Sequence, residues 1–395
     1  MMNVPRIQNI LREEGIDLWL MYDFRGSNPI AWQAVGLAPD THCTRRWAVG
    51  IPAEGEPFKL VHAIEHFTLG GFPAREIIYA GREEWQSHLE AIVKSYGVIA
   101  MEYSPNNAIP VVSKVDAGTL ELLRGFGANV TSSGDLVQKI YAVWSDAQLH
   151  ENLTFTAPQL RECMVSACAY LRESIAGGIA VSEYDVQQHI LGEFSRRGLI
   201  TDSPPIVAVT RNAASPHYSP TAERHDAIPP DELVLIDMWA KTAAPDSTFA
   251  DITWMCYTGA NVPERYASIF EVVAGARDAA LNLVQERFAT GKPVAGCEVD
   301  DAAREYIRER GFGQYFIHRT GHSITTETHG AGANMDNYET NDARRLLPAT
   351  SFSIEPGIYI PGDVGFRSEI SVVISPAGEV LVPSTPIQTA IAALF

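Results

Sequence analysis

The sequence predicts a two-domain protein, with an α/β domain over residues 1–145 and an α+β domain over residues 146–395. One observation is the length of 395 residues, with 46% hydrophobic and 20% charged residues, which suits a globular chain with more than one core. A second is the alternation of apolar strands and helices that ends near residue 145. A third is the order of the remainder, helices, strands, helices, strands, which predicts two similar halves.

The first domain is predicted to begin with a helix at residues 5–14, where Ile7, Ile10 and Leu11 share one face. Apolar runs then predict four strands, and residues 83–96 predict a helix between the third and the fourth. The four strands are IDLWLMY, RRWAVGIP, PFKLVHAI and GVIAMEY.

The second domain is predicted to open with a long helix that is capped by Ser145, interrupted at Pro158 and ended at Gly177. Another capped helix follows in VSEYDVQQHILGEFSRRG, and a helix pair is predicted at 262–289 and 298–310. Strands are predicted between and after these helices, in PPIVAVT, ELVLIDMWA, SFSIEPGIYI and EISVVISPAGEVLVP.

The formal net charge of −18 argues against two classes of partner, because nucleic acids and anionic membranes both attract basic surfaces. The five cysteines include no CxxC pair, which predicts a reduced intracellular protein without a disulfide framework. The N-terminal segment lacks the features of a signal peptide, and no window of about eighteen apolar residues occurs. We therefore expect a cytoplasmic protein.

Two pairs of acidic residues have the same spacing around two turns. Asp237 and Asp251 are fourteen residues apart around Ala-Ala-Pro-Asp, and Glu355 and Glu369 are fourteen apart around Pro-Gly-Asp. If each segment is a β-hairpin centred on its turn, each pair lies opposite on neighbouring strands and faces one side. Because four converging carboxylates repel one another, the spacing predicts a cation between them.

A cluster of histidines supplies the nitrogen ligand for such a site. His318, His322 and His329 lie in HRTGHSITTETHG, although the whole chain has only 11 histidines. Carboxylates with one imidazole favour Mn²⁺, Co²⁺ or Zn²⁺. Four carboxylates and one histidine are sufficient for a centre of two metal ions that activates a water and polarises a carbonyl.

At these residues the sequence resembles the metallopeptidases of the pita-bread fold, which include Xaa-Pro dipeptidase (prolidase), aminopeptidase P, creatinase and methionine aminopeptidase. The matching pieces are LVLIDMW with FADIT, HRTGHS with THG, IEPGIYIPG and FRSE, in the order of the family. The resemblance implies a pita-bread catalytic domain with pseudo-twofold halves at 146–395, preceded by a creatinase-like domain at 1–145.

The resemblance also implies a ligand set for two divalent metal ions per chain, either Mn, Co or Zn. Asp237 would chelate one ion, and His322 and Glu355 would hold the other. Asp251 and Glu369 would bridge the two ions.

The implied activity is hydrolysis of an N-terminal Xaa-Pro peptide bond by a metal-bridging hydroxide, on small peptides with proline in second position. Glu355 would transfer the proton as a general base and then as an acid. His217, in the segment NAASPHYSP, and His329 would bind the scissile carbonyl and the developing oxyanion.

The remaining implied roles concern neighbours of the ligands. His318 matches a family position near the C-terminal side of the substrate. Arg367 would orient a bridging carboxylate, with Tyr359 nearby. Family members also imply a homodimer.

The sequence departs from the family pattern beside the ligands. Trp239 replaces a glycine, Trp254 replaces an arginine, and three residues are added between Asp237 and Asp251. If both indoles enter the pocket, they narrow it and favour short substrates with an apolar N-terminal residue. The alternative is that both rings pack under the sheet.

Two other functions and one other motif compete with this prediction. A creatinase-like hydrolase of a small C–N bond or a non-catalytic binding protein on the same fold would be expected to lack some of the five ligands, which this chain retains. HAIEH at residues 62–66 matches a zinc-protease pattern, but that pattern needs a helix and the segment follows a strand-like run.

Overall fold

The computed structural model describes residues 3–395, which fold as two compact units that divide between Ile140 and Tyr141. Residues 141–145 belong to the second unit because Trp144 is bound there. Its backbone N–H donates to the carbonyl of Ala349 (N···O 2.6 Å) and its indole N–H to the carbonyl of Ile324 (3.2 Å).

The first unit is a mixed sheet of six strands with helices packed on it. The strands are β1 (Leu18–Asp23), β2 (Trp47–Pro52), β3 (Phe58–His62), β4 (Arg75–Tyr79), β5 (Val98–Met101) and β6 (Asn129–Ser132). The helices are α1 (Val4–Glu13), α2 (Pro29–Val35), α3 (Arg82–Ser95), α4 (Ala117–Gly125) and α5 (Gly134–Tyr141). The strand order is β4-β3-β2-β1-β5-β6, so the predicted α/β architecture is present, with more helices and strands than expected.

The HAIEH segment is not a helix. His62 is the last residue of β3, and His66 begins a short 3₁₀ turn, His66–Leu69. The His62 Nε2 atom lies 3.0 Å from the carbonyl oxygen of Ala80, so this imidazole has a structural partner. The two histidines therefore lack the shared helical face that the zinc motif requires.

The first half of the second unit contains two long helices and an antiparallel hairpin. Its helices are α6 (Asp146–Glu151), α7 (Ala157–Ala176), α8 (Glu183–Arg196) and the short α9 (Thr210–Ala213). Its strands are β7 (Leu199–Ile200), β8 (Ile206–Val209), β9 (Leu233–Thr242) and β10 (Ala250–Tyr257).

The long helix that opens this half is continuous, so the predicted interruption at Pro158 is wrong. One wide π-helical turn, Asn152–Thr156, joins α6 to α7, and the N–H of Ala157 donates to the carbonyl of Asn152. Pro158 directly follows this wide turn, at the start of α7, and the π-helical turn accommodates its ring and its missing N–H without ending the helix. The predicted cap at Ser145 is confirmed, because its side chain accepts from the N–H of Gln148.

The second half repeats the arrangement of a helix pair and antiparallel strands. Its helices are α10 (Glu264–Ala289) and α11 (Gly296–Glu309). Its strands are β11 (Ser323–Ile324), β12 (Ser351–Ile354), β13 (Gly357–Ile360), β14 (Val364–Arg367), β15 (Ile370–Ile374), β16 (Val380–Leu381) and β17 (Ala392–Ala393). One sheet has the order β11-β12-β15-β16, β13 pairs with β14, and β17 joins the sheet β17-β10-β9-β7, in which β8 also pairs with β9.

Alternate side chains of β9 face two different cores. Val234, Ile236 and Met238 pack with α7 and α8, whereas Leu235 packs with α10 and α11. Asp237 follows the same alternation as Leu235, so it points away from the α7–α8 layer and towards the second half of the unit.

The predicted register is wrong for the first hairpin and correct for the second. Asp251 pairs with Trp239 and Thr253 pairs with Asp237, so the first hairpin is centred on Pro245 and the two aspartates are diagonal neighbours. The observed register differs from the predicted one by two residues, so both aspartates stay on the same face of the hairpin. The second hairpin is centred on Gly362, as predicted, through the pairs Gly357 with Arg367 and Ile354 with Ile370.

Within residues 3–395, none of the helices combines the length and the apolar character that crossing a membrane would require.

Candidate metal centre

The first two predicted ligands lie side by side on the β9–β10 hairpin. Asp237 and Asp251 are 7% and 3% exposed. The Oδ1 atom of each is buried, and among the described residues it has no hydrogen-bond partner. Because an unpaired carboxylate oxygen is costly to bury, both atoms indicate a missing positive partner.

His322 is held with one ring nitrogen free. The backbone N–H of His322 donates to Ser353 Oγ (3.0 Å), and Gly321 permits this contact because a Cβ there would lie 2.0 Å from the Ser353 carbonyl oxygen. Nδ1 faces the carbonyl oxygen of Ser323 (3.3 Å), which can only accept, so Nδ1 carries the proton. Nε2 is left free and lies 3.7 Å from Asp251 Oδ2 and 3.4 Å from Glu355 Oε1.

The two glutamates approach from the second hairpin. Glu369 is fixed by Thr253, whose hydroxyl donates to Oε2 (2.8 Å) and whose carbonyl accepts from the Glu369 N–H (3.3 Å). Glu355 accepts from Ser353 Oγ at Oε1 (3.0 Å). Ligand atoms of Asp251, His322 and Glu369 all lie within 4.8 Å of one another.

The electrostatics of this cluster fit a bound cation. Burial, and then the neighbouring Asp237 carboxylate, raise the pKa of Asp251 well above its ordinary value. Burial also raises the pKa values of Glu369 and Glu355, and it lowers the pKa of His322 to about 3. A neutral imidazole with a free Nε2, facing carboxylates that resist ionisation without a counter-charge, is the donor set of a divalent metal.

A hydrogen-bonded chain connects Asp237 to His318. The Arg367 guanidinium forms a salt bridge with Asp237 Oδ2 and donates to the Tyr359 hydroxyl (3.0 Å), which lies 2.8 Å from His318 Nε2. His318 Nδ1 lies 2.6 Å from the carbonyl oxygen of Arg319, so Nδ1 carries the proton and Nε2 accepts from Tyr359. Burial lowers the pKa of His318 to about 3, consistent with a neutral ring. The resemblance implies that Arg367 orients a bridging carboxylate, and its ionic partner in the structure is Asp237, the residue expected to chelate one ion.

A cavity of about 350 Å³ opens onto the cluster, a size that suits a small ligand. His217 and His329 are both exposed at this cavity, and the His329 ring centroid is 4.4 Å from that of His322. Tyr359 is the one predicted site residue that is fully buried behind the wall. The predicted site residues that line the cavity are His217, Asp237, Asp251, His318, His322, His329, Glu355, Arg367 and Glu369.

The two departing tryptophans have different positions. Trp239 lines the cavity, on the same face of β9 as Asp237. Trp254 packs against the α7–α8 core, on the other face of β10 from Asp251. The sequence contained this signal, because Trp239 is an even number of residues from its ligand and Trp254 an odd number.

Three charged residues of the cavity lining were missed in the sequence. Asp202 accepts hydrogen bonds from the Trp239 indole and from Thr328, and Arg319 and Glu339 line the same cavity. No signal for Asp202 existed, because it lies in a loop far from the motifs.

A family model described as "Metallopeptidase family M24" matches residues 157–376. Over 210 residues the chain is 30% identical to an Xaa-Pro dipeptidase of Lactobacillus delbrueckii subsp. lactis, covering 53% of this chain and 51% of the relative. Over 264 residues it is 31% identical to an uncharacterized peptidase of Staphylococcus saprophyticus, covering 65% of this chain and 67% of the relative. The matched part thus spans about half the length of the first of these curated relatives.

Solved structures resemble the chain over nearly its full length. A dipeptidase from Mycobacterium ulcerans has a TM-score of 0.69 at 19% identity, covering 99% of this chain and 96% of the other. The prolidase from Pyrococcus horikoshii OT3 has a TM-score of 0.60 at 20% identity, covering 98% and 99%. An X-prolyl aminopeptidase from Caenorhabditis elegans is described as a cytosolic enzyme with a di-nuclear active site. It has a TM-score of 0.63 at 15% identity, covering 98% of this chain and 62% of the other. These likenesses confirm the predicted fold class.

Proposed function

The chain belongs to metallopeptidase family M24, and from this premise we propose that it hydrolyses N-terminal Xaa-Pro peptide bonds with two bound divalent metal ions. The observation that carries the proposal is the cluster of Asp251, His322 and Glu369, with unpaired buried oxygens on Asp237 and Asp251, at the base of a cavity. The five residues Asp237, Asp251, His322, Glu355 and Glu369 would hold the ions, of which Mn, Co or Zn are the candidates.

The bound ions would supply an activated water and a polarised scissile carbonyl. Glu355 would accept a proton from that water and return it to the leaving nitrogen, a role supported by the hydrogen bond from Ser353 that fixes its Oε1 near His322. His217 and His329 reach the cavity from its exposed side, where they would hold the carbonyl oxygen as negative charge develops on it. Arg367 keeps Asp237 oriented towards the cluster.

Support for the finer assignment comes from the relatives. Xaa-Pro dipeptidases, prolidases and X-prolyl aminopeptidases recur among the similar proteins, and one of them is described as having a di-nuclear active site. The cavity volume suits a dipeptide or the first residues of a longer peptide. The choice between dipeptidase and aminopeptidase, the homodimer, the cytoplasmic location and the domain division at residues 145/146 stay predictions from the sequence.

The creatinase-like and binding-protein alternatives are less well supported. Either would be expected to have lost part of the ligand set, whereas all five residues are present and four of them are at most 7% exposed.

His318, which the resemblance places near the C-terminal side of the substrate, is held neutral beside the cavity.

The proposal is tested by measuring metal content and hydrolysis together. After reconstitution with Mn²⁺, the purified protein should bind about two ions per chain and cleave Leu-Pro, and EDTA should abolish cleavage. Creatine hydrolysis, assayed in parallel, should be absent. The matched control is His62→Ala/His66→Ala, which should retain full metal content because that segment is not helical.

Cleavage of Leu-Pro by rigorously metal-free protein would refute the mechanism. A protein that binds the ions but cleaves no Xaa-Pro peptide would refute the assigned substrate class and leave one of the two alternatives.

A further inference from the structure

An exposed carboxylate stands at the edge of the cavity, outside the ligand set. Asp202, in the loop between β7 and β8, accepts from the indole N–H of Trp239 at Oδ1 (2.7 Å) and from the hydroxyl of Thr328 at Oδ2 (2.7 Å). Ser203 Oγ lies 3.3 Å from Oδ1. The loop, β9 and the segment before His329 therefore meet at this one side chain.

This carboxylate carries a charge that its protein contacts do not neutralise. The hydrogen-bond donors to Asp202 in the described residues are an indole and two hydroxyls, all neutral. Partial burial opposes ionisation, but these hydrogen bonds outweigh it and lower the pKa of Asp202 below its ordinary value. The group is therefore a fixed negative charge that faces the cavity.

Trp239 adds an aromatic surface next to this charge. Its indole N–H is directed to Asp202, which fixes the ring in the cavity wall, two residues along β9 from the ligand Asp237. An aromatic face beside a carboxylate attracts ammonium and guanidinium groups through the ring quadrupole and through direct ion pairing. The charge of Asp202 also makes this wall less suited to the apolar side chain that the sequence predicted.

We propose that Asp202 and Trp239 together, the Asp202–Trp239 edge, form a subsite for a cationic side chain on the N-terminal residue of the substrate. The inference rests on the proposed function. If the N-terminal residue of the substrate lies beside the proposed ligand Asp237, its side chain emerges close to Trp239, two residues further along β9. Peptides that begin with Lys or Arg before proline are the substrate class that this chemistry recognises.

A simpler role for Asp202 is structural, because its hydrogen bonds join three segments of the chain. The choice of substrates separates this structural role from the role of a cation subsite. The first side chains of Lys-Pro and norleucyl-Pro share the same unbranched four-carbon skeleton, but only Lys-Pro carries the ammonium group. If the role is structural, a change at Asp202 affects the cleavage of both substrates equally. If Asp202 belongs to a cation subsite, the change affects only Lys-Pro.

The experiment measures kcat/KM for Lys-Pro and norleucyl-Pro with the metal-loaded protein and with Asp202→Asn. The wild type should prefer Lys-Pro by about fivefold, and Asp202→Asn should reduce this ratio to about one. The control is Glu339→Gln, which removes one negative charge from another position in the lining of the same cavity and should leave the ratio unchanged. Asp202 is exposed, and a thermal melt verifies that the variant is folded.

An unchanged ratio in Asp202→Asn, or an equal fall in Glu339→Gln, would overturn the subsite. If the metal-loaded wild type cleaves neither dipeptide, the proposed function fails instead. Calorimetric binding of L-lysinamide against L-norleucinamide then still tests the subsite, because it requires no turnover. Equal affinities of the wild type for the two amides would overturn it.

Discussion

Glu355 is the carboxylate to which we assign proton transfer. Ser353 Oγ donates to its Oε1 (3.0 Å), and the same oxygen lies 3.4 Å from Nε2 of His322. Burial raises its pKa, which brings the group closer to the range in which an acid can both accept and release a proton near neutrality.

Replacing this carboxylate by an amide should separate chemistry from metal binding. In Glu355→Gln, kcat for Leu-Pro should fall by at least ~100-fold, because Gln keeps one ligand oxygen but is no base. Metal content should fall less, since Asp237, Asp251, His322 and Glu369 remain. The measurement is kcat at a known metal occupancy, with the exposed Glu379→Gln as control. Near-normal turnover by fully metallated Glu355→Gln would remove the assigned role.

Residues in motifs were predictable, and isolated residues were not. The spacing of motif residues indicated Asp251, His322 and Glu369, whose ligand atoms lie together in the structure. The orientation of Trp239 followed from β-strand alternation, but Asp202 depends on how a loop folds over the sheet, and no local pattern reports that.

At the scale of secondary-structure elements, the turn residues predicted the register of one hairpin and not that of the other. Pro-Gly-Asp closes a tight turn between Ile360 and Val364, so its centre fixes the pairing. The Ala-Ala-Pro-Asp segment belongs to a longer connection, residues 243–249, in which Ser247 accepts from the N–H of Thr242. A long connection does not fix the register through its sequence centre, and the predicted pairing of Asp237 with Asp251 failed for that reason.

The contact between α7 and α8 includes a histidine that makes stability depend on pH. His189 stacks on Tyr170 (ring centroids 4.4 Å apart), and its Nε2 lies 3.0 Å from Ser166 Oγ. Burial lowers the pKa of His189 below its ordinary value. As the pH falls through about 6.5, the unfolded chain binds a proton at this residue that the folded chain does not bind, so the stability contributed above that pH is lost.

We expect His189→Gln to reduce this part of the pH dependence. The free energy of unfolding should fall between pH 7.5 and 5.5 by more in the wild type than in the variant, because contributions from all other groups cancel in the comparison. Urea unfolding at the two pH values measures it. A wild type and a variant with the same dependence would show that His189 titrates normally in the fold.

At the scale of the whole molecule, the proposed ligands would tie metal binding to the stability of one unit. All five lie within Tyr141–Phe395, and the burial of three carboxylates with raised pKa values opposes folding of the metal-free protein. Mn²⁺ at 100 times its dissociation constant should stabilise the protein by about 2.7 kcal/mol, because it binds only the folded state. Thermal unfolding with and without Mn²⁺ measures the effect, and His322→Ala should lose most of it. An equal gain in His322→Ala would place the bound ion elsewhere.

The two hairpins differ in how freely evolution can insert or delete residues in them. Residues 243–246 are exposed and lie outside the β9–β10 ladder, so an insertion there lengthens a loop and leaves both aspartates in place. In the second hairpin one register, centred on Gly362, runs through β13–β14 and on into β12–β15. An insertion of one residue in 361–363 that shifted either arm would turn Glu355 or Glu369 away from the cavity. Variation in length among relatives should therefore accumulate in the first loop. The three residues that this chain has gained relative to the family spacing lie between Asp237 and Asp251, the two aspartates that flank that loop.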